Sequence, residues 1–340
     1  MAVCAMRSLL AVLALAAVLS PSPARGGEAA ASSLRVVQWN AFYDGTGTDG
    51  VRDRGRQVAA LAALAPDVVS LNEVTAGAAV DYAARMQRAT GARWHHHHAA
   101  GARGWGNAIL SRHPLLSTSA YLMKVGAARS VAQATLSVNG SRVNVFATHL
   151  DSGDRAKSRA AQVEELIAFV NGFAPPRIIA GDMNAGPDAG EIQPLFSAWE
   201  DAWLAAVYRG TARSYAANPP HRYTRTRRGR LDYIFVSRDV TALACEVPDL
   251  RDRANTAVRE ALRTRDDEGV RPSDHNLVAC ALAWEGGPPA GAAGVALRPR
   301  ARAAAGPGRS PRLFRDDVPR GGGPAVPSQD AREGGARQLA

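Results

Sequence analysis

The chain has 340 residues, 46% of them hydrophobic and 6% aromatic, with a formal net charge of +10 and three cysteines. That length and apolar fraction suit one large domain or two small ones, and exclude simple disorder, a collagen-like repeat and a disulfide-dense miniprotein. Of the charge, +1 falls in residues 1–33, +5 in residues 34–284 and +4 in residues 285–340, and it is carried by arginine, since Lys124 and Lys157 are the only lysines.

Residues 1–27 read as a secretory signal. Arg7 supplies the positive start, residues 8–19 are apolar, Pro21 and Pro23 stop a helix, and Ser22 and Ala24 fit a cleavage site, with Ala30 or Ala31 as alternatives. The apolar run is roughly half of the ~20 residues a spanning helix needs. The expectation is export, to the secreted or periplasmic space, rather than a membrane anchor.

A mixed α/β domain follows over residues 34–284. LRVVQWN (34–40) and DVVSLNE (67–73) are β-type runs, with a helical pattern at 53–65 between them that sets Val58, Leu61, Ala62 and Ala65 on one face. His95 to His98 form a run of four histidines that reads as an exposed polar strand, with metal binding as the alternative. RVNVFATH (142–149) is the next strand. The clearest helix covers 155–171, where Val163, Leu166, Ile167 and Val170 repeat at helical spacing and Gly172 marks a stop. RIIAGDMN (177–184), LDYIFVS (231–237) and NLVACALAW (276–284) complete the β-type runs. Residues 285–340 hold 11 glycines and 8 prolines with almost no bulky apolar side chain, which predicts a disordered tail. Once Cys4 leaves with the signal, Cys245 and Cys280 either pair or stay as two buried thiols.

The β-type runs share one regularity. Four of them end in a polar group suited to chemistry, namely Asn40, Glu73, His149, and Asp182 with Asn184, and two others are opened by Asp232 and by Asp274–His275. Strands buried on both faces carry polar side chains at their ends. For these groups to meet, the last two strands must run opposite to the first four, in a mixed or antiparallel sheet system with its site at one edge. Four carboxylates with few imidazole or sulfur ligands favour a hard cation, Mg²⁺ first and Mn²⁺ as the alternative. Metal, carboxylate-oriented water and a charge-stabilising donor are the parts that phosphoester hydrolysis needs.

The same residues resemble the endonuclease/exonuclease/phosphatase superfamily, which includes pancreatic-type deoxyribonucleases, AP endonucleases, neutral sphingomyelinases and inositol polyphosphate 5-phosphatases. The matching segments, in the family's order, are VVQWN (36–40), VVSLNEV (68–74), GNAILSR (106–112), ATHLD (147–151), IAGDMNAGP (179–187), RLDYIFVS (230–237) and PSDHNLV (272–278). The resemblance implies a four-layered α/β sandwich, two central mixed or antiparallel sheets flanked by helices. It implies Glu73 as principal metal ligand beside Asn40, with Asp274 supporting the metal. Asp182 would orient the attacking water, and Asn184 and His149 would contact phosphate. His275, oriented by Asp232, would contact phosphate or act as acid or base. Asn107 would belong to the phosphate or substrate contacts. Two positions depart from the pattern: Asn72 stands where Gln is usual before the ligand Glu, and Leu277 where Pro is usual after the SDH histidine.

Arg222, Arg225, Arg227, Arg228 and Arg230 crowd before Asp232. Next to a carboxylate site they read as a rim gathering a phosphate-bearing substrate, with Arg225, Arg227 and Arg228 as its contacts. Together these readings describe an exported, monomeric, metal-dependent phosphodiesterase without a stable protein partner. Nucleic acid is the leading substrate, a lipid head group or small phosphoester the alternative, and a silent binding module the third.

Overall fold

A computed structural model describes residues 32–214, 229–250 and 270–285. The expected signal, the tail beyond residue 285, Arg222, Arg225, Arg227 and Arg228, and most of residues 249–271 lie outside them.

Two twisted sheets form the centre. The strands of the first, in chain order, are β1 (Ser32–Asn40), β2 (Val68–Val74), β3 (His95–Ala100) and β4 (Gly106–Ser111). The second then takes β5 (Leu115–Leu122), β6 (Ser130–Val138), β7 (Ser141–His149), β8 (Arg177–Asp182) and β9 (Glu200–Asp201), after which β10 (Ala212–Ser214) returns to the first. Beyond these, β11 (Asp232–Val236) joins the second sheet, and β12 (Val240–Val247) and β13 (Val278–Trp284) join the first. Spatial order is β10-β12-β13-β1-β2-β4-β3 in the first sheet and β5-β6-β7-β8-β11-β9 in the second.

Alternation along each strand separates three cores. Val36, Val68, Ile109, Val145, Ile178 and Ile234 fill the space between the sheets. Val37, Val69, Leu71 and Leu110 face outward and pack on Val58, Leu61, Tyr82 and Met86 of the helices Arg54–Ala63 and Ala76–Thr90. On the far side, Phe146, Ile179 and Phe235 pack on Val163, Leu166 and Val170 of the helix Ala156–Asn171. The result is the four-layered sandwich expected from the motifs, in which period-2 strands feed one face to each neighbouring layer.

Strand directions also follow the expectation. β1 is parallel to β2 and β7 to β8, whereas β13 runs antiparallel to β1 and β11 antiparallel to β8. The C-terminal ends of the first four strands therefore meet the N-terminal ends of the last two. Helix boundaries shift inward by a residue or two, and Ala65 falls beyond its helix with a left-handed φ of 46°. The four histidines form β3 at the edge of the first sheet, where His97 Nε2 lies 2.9 Å from the Ser119 carbonyl and His98 Nε2 2.9 Å from that of Val74. Cys245 and Cys280 sit in register on β12 and β13 and are joined as a disulfide.

Candidate active site

The same strand faces that are apolar in mid-sheet turn polar at one end. On β1, Gln38 and Asn40 continue the inward row of Leu34 and Val36, and on β8 Asp182 continues that of Ile178 and Ala180. Asp232 opens β11 directly opposite Asp182 in the antiparallel register. Glu73 arrives differently. Alternation would place it with Val69 and Leu71 under the helices, but the pairing of β2 with β4 shifts between Asn72 and Val74, and Glu73 takes a left-handed φ of 55°. A bulge of this kind re-aims one side chain at a strand end. It brings Glu73 Oε1 to 3.0 Å from Asn40 Nδ2 and Glu73 Oε2 to 3.2 Å from the backbone N–H of Tyr43.

Asp182 is held from several sides. Asn40 Nδ2 donates to its Oδ2 at 3.1 Å and the Asn184 N–H to its Oδ1 at 2.8 Å, while His149 Nε2 and His275 Nε2 stand 3.5 and 3.6 Å from Oδ2. Burial and the neighbouring Asp232 push its carboxyl up to about 6, against the pull of His275. His275 Nδ1 bonds Asp232 Oδ2 at 2.8 Å, which orients the ring. Burial alone would lower this imidazole, but Asp232, Asp182 and Asp274 outweigh it and raise it to about 10. Its buried Nε2 makes no hydrogen bond among the described residues and lies 3.9 Å from Asp274 Oδ1. The backbone around it is fixed by Trp39 Nε1 donating to the His275 carbonyl (2.9 Å) and by Ser273 Oγ, which donates to the Asn40 carbonyl (2.7 Å).

His149 lies between Asn184 Nδ2, 2.7 Å from its Nε2, and Arg129 Nη1, 3.4 Å from its Nδ1. Asn184 Nδ2 also donates to the Leu150 carbonyl at 3.0 Å, which fixes the amide and makes His149 Nε2 the acceptor. The proton then belongs on Nδ1, facing the Arg129 guanidinium, whose Nε donates to Asp151 Oδ1 at 3.3 Å, and both residues line the cavity beside the site.

The donor set fits a divalent cation. Burial and then Asp274 push the Glu73 carboxyl upward, and Asp182 is raised as well, so the buried site holds more negative charge than its own donors relieve. Glu73 offers the carboxylate oxygens that a hard cation takes, while Asn40 presents its Nδ2 to Glu73 and Asp182 and its Oδ1 to the Phe42 N–H (3.0 Å), so its amide would have to turn over to ligate. Asp182, Asp232 and His275 also have ligand atoms within 4.8 Å of one another. The His275–Asp232 hydrogen bond already occupies that trio, which reads better as an oriented imidazolium than as a metal seat.

Every described residue expected from the motifs is therefore at this edge, with differences of role. Asn107 lines the adjoining cavity, yet its amide accepts from Asn72 and donates to Ser130, so it braces the wall. Arg230, read as part of the basic rim, is buried in an ion pair with Asp201 and stacked over Tyr233 at 4.3 Å, because it closes β11 against β9. Sequence reasoning missed Arg129, which lies in a loop, and Gln38, which reads as one more residue of a strand. It noted Asn72 only as a departure. In the fold Asn72 ties the sheets together, accepting from Gln38 and the Asp182 N–H (3.2 Å) and donating to Asn107 Oδ1 (2.7 Å) and the Thr148 carbonyl (2.8 Å).

The chain is similar in architecture to solved structures of low sequence identity. An endonuclease/exonuclease/phosphatase from Beutenbergia cavernae is 23% identical, with 75% of this chain and 72% of that one covered and a TM-score of 0.54. TDP2 of D. rerio, in complex with single-strand DNA product, is 20% identical, with 74% and 99% covered and a TM-score of 0.54. A mannosyl-6-phosphatase of Bacteroides thetaiotaomicron is 16% identical, with 73% and 99% covered and a TM-score of 0.55. At such identities the likeness is one of fold. No curated protein matches the sequence. Residues 37–275 match the model of the Endonuclease/Exonuclease/phosphatase family, a span that begins on β1 and ends on His275, so the chain belongs to that family and is a hydrolase of phosphoester bonds.

Proposed function

We propose that the protein is an exported, Mg²⁺-dependent phosphodiesterase that cleaves nucleic acid. The observation that carries the substrate reading is the cavity beside the site. It has a volume of about 650 Å³ and is lined by Tyr43 and Trp105 as well as by Glu73, Arg129 and His149. Aromatic faces next to phosphate-seeking donors suit a base beside its phosphate. Export is supported by the Cys245–Cys280 disulfide, which belongs to an oxidising compartment, and by the apolar signal-like start.

Members of the family typically depend on a divalent metal ion, and Glu73 and Asn40, with Asp274 nearby, would hold it. When bound it neutralises charge on the phosphoryl oxygens. The chain's own groups do the rest. Asp182, its oxygens fixed by Asn40 and Asn184, takes the proton of the attacking water, and its raised affinity for a proton makes it a better base than a free carboxylate. His275 stays protonated at neutral pH and offers Nε2–H to the charge that builds up in the transition state. Arg129 and His149 Nδ1 hold a phosphoryl oxygen between them. Asp232 acts through His275.

The test is a panel of plasmid DNA, RNA, sphingomyelin, mannose 6-phosphate and bis(p-nitrophenyl) phosphate, with Mg²⁺ and with EDTA, beside Asp182→Ala and His275→Ala. Nucleic acid should be cut only with the metal, and each variant should lose at least about 10³-fold. Cleavage of lipid or sugar phosphate alone would overturn the substrate reading. Inertness on all substrates would overturn the hydrolytic one. Recovery of a protein lacking its first 24–31 residues from outside the cytoplasm tests export.

A further inference from the structure

We propose that Arg103, with Tyr43 and Trp105, forms a subsite for the nucleotide next to the scissile phosphate. Arg103 takes a second phosphate there, so the enzyme selects linked nucleotide chains over isolated diesters. The proposal rests on the nucleic-acid reading above and names what that reading leaves open.

Arg103 lies in the 3₁₀ turn Ala102–Gly104 and lines the same cavity as Glu73 and His149. Among the described residues its side chain has no hydrogen bond or ion pair, unlike Arg54, Arg56, Arg112 and Arg129, which face Asp81, Asp49, Asp67 and Asp151. An arginine kept without an acid partner beside a phosphate-processing cavity is a free anion contact.

The backbone that presents it is strained and braced. Arg103 has a left-handed φ of 54°, which costs a non-glycine residue on the order of 1 kcal/mol or more and persists only where its surroundings impose it. Here the imposing contacts are the Ala102 N–H on the Ala128 carbonyl (3.0 Å) and the Trp105 N–H on the Ala102 carbonyl (3.1 Å). Gly101 permits the approach, since a Cβ there would stand 2.5 Å from the Ala128 oxygen. The two loops that wall the cavity thus touch backbone to backbone, and the rim is built before a ligand arrives.

The aromatic pair connects this rim to the reacting centre. Tyr43 meets Trp105 edge to face with ring centroids 5.5 Å apart, and the Tyr43 N–H holds Glu73 Oε2. Tyr43 also has a left-handed φ, of 47°. Tyr43 and Arg103, both held at left-handed backbone by their own segments, line one cavity. A ring stacked on this pair leaves its next phosphate toward Arg103.

The experiment compares kcat/KM on a short single-stranded oligonucleotide and on bis(p-nitrophenyl) phosphate for wild type, Arg103→Gln, Arg103→Lys and Trp105→Leu, each checked by thermal melting. Arg103→Gln should lose about tenfold more on the oligonucleotide than on the small diester, through KM, and should flatten the salt slope by about 0.7. Arg103→Lys should recover much of the loss, and Trp105→Leu should lose oligonucleotide activity without changing the salt slope. Equal losses on both substrates, or an unchanged salt slope in Arg103→Gln, would overturn the subsite while leaving the nuclease reading intact. A wild type that cleaves only the small diester would overturn both.

Discussion

Burial raises the Asp182 carboxyl and by itself would lower the His275 imidazole, but Asp232, Asp182 and Asp274 reverse the second effect, so both groups hold a proton more tightly than their free forms, at about 6 and about 10. In the cation-free protein, His275 then stabilises the fold in a definite window. Its folded affinity for a proton exceeds the ordinary 6.5, so its contribution is complete below that pH and disappears as pH rises through about 10. Melting temperatures of wild type and His275→Gln should therefore converge between pH 6.5 and 10. Parallel curves would contradict the assignment of the charge to His275. Asp182, Glu73 and His275 were legible in the sequence only together, since any one of them alone reads as a cap, a turn or a satisfied polar group, whereas six strand ends all carry groups of one chemical type. Arg129 was not, because a loop arginine carries no periodic signal and only the fold sets it against His149.

At the scale of elements, the strand ends were readable and the bulge was not. DVVSLNE predicts a strand that ends on a carboxylate, but nothing in its composition says that Glu73 leaves the alternation at a left-handed backbone. The helix Ala76–Thr90 also escaped the reading, because its buried face is built largely from Ala78, Ala79 and Ala83, with Tyr82 and Met86 the only large side chains on it. β5, LLSTSAYL, escaped because it is an edge strand that is exposed or half-buried throughout and shows no inward–outward alternation of polarity. The junction of the sheets gives the sharpest test here. Asn72 is wholly buried and satisfies the Thr148 carbonyl and the Asp182 N–H across the gap. Asn72→Leu removes a second partner from these two groups, which β7 and β8 also pair with each other in their ladder, and leaves the buried Asn107 Oδ1 without its donor, at about 1–3 kcal/mol. Chemical denaturation should show a loss of about 1–3 kcal/mol. A loss under 1 kcal/mol would mean that the network can rearrange.

For the whole molecule, the net charge of +10 says less than where the charges sit. Among the described residues few basic side chains lie near the chemistry, and Arg230, read from the sequence as one of the rim, is paired with Asp201. One cross-link lies within the first sheet, between β12 and β13, and a second set of contacts joins the two sheets at the site. The disulfide closes a loop with a sequence separation of 35, so its reduction should lower stability by about 2–4 kcal/mol. Denaturation midpoints with and without dithiothreitol measure this, and Cys245→Ala with Cys280→Ala should reproduce the reduced value. The proposed cation site lies at Glu73 and Asn40 of one sheet and borders Asp182 of the other, so an ion bound there would stabilise the native sandwich alone. At a hundredfold excess over its dissociation constant that linkage is worth about 2.7 kcal/mol. Titrating Mg²⁺ should therefore raise the melting temperature of wild type, and Glu73→Gln should abolish the rise. Asp232→Asn should keep it, because Asp232 serves His275 and not the ion. The reverse outcome, a response kept by Glu73→Gln and lost by Asp232→Asn, would move the cation to the Asp182–Asp232–His275 cluster and make His275 a ligand instead of an acid.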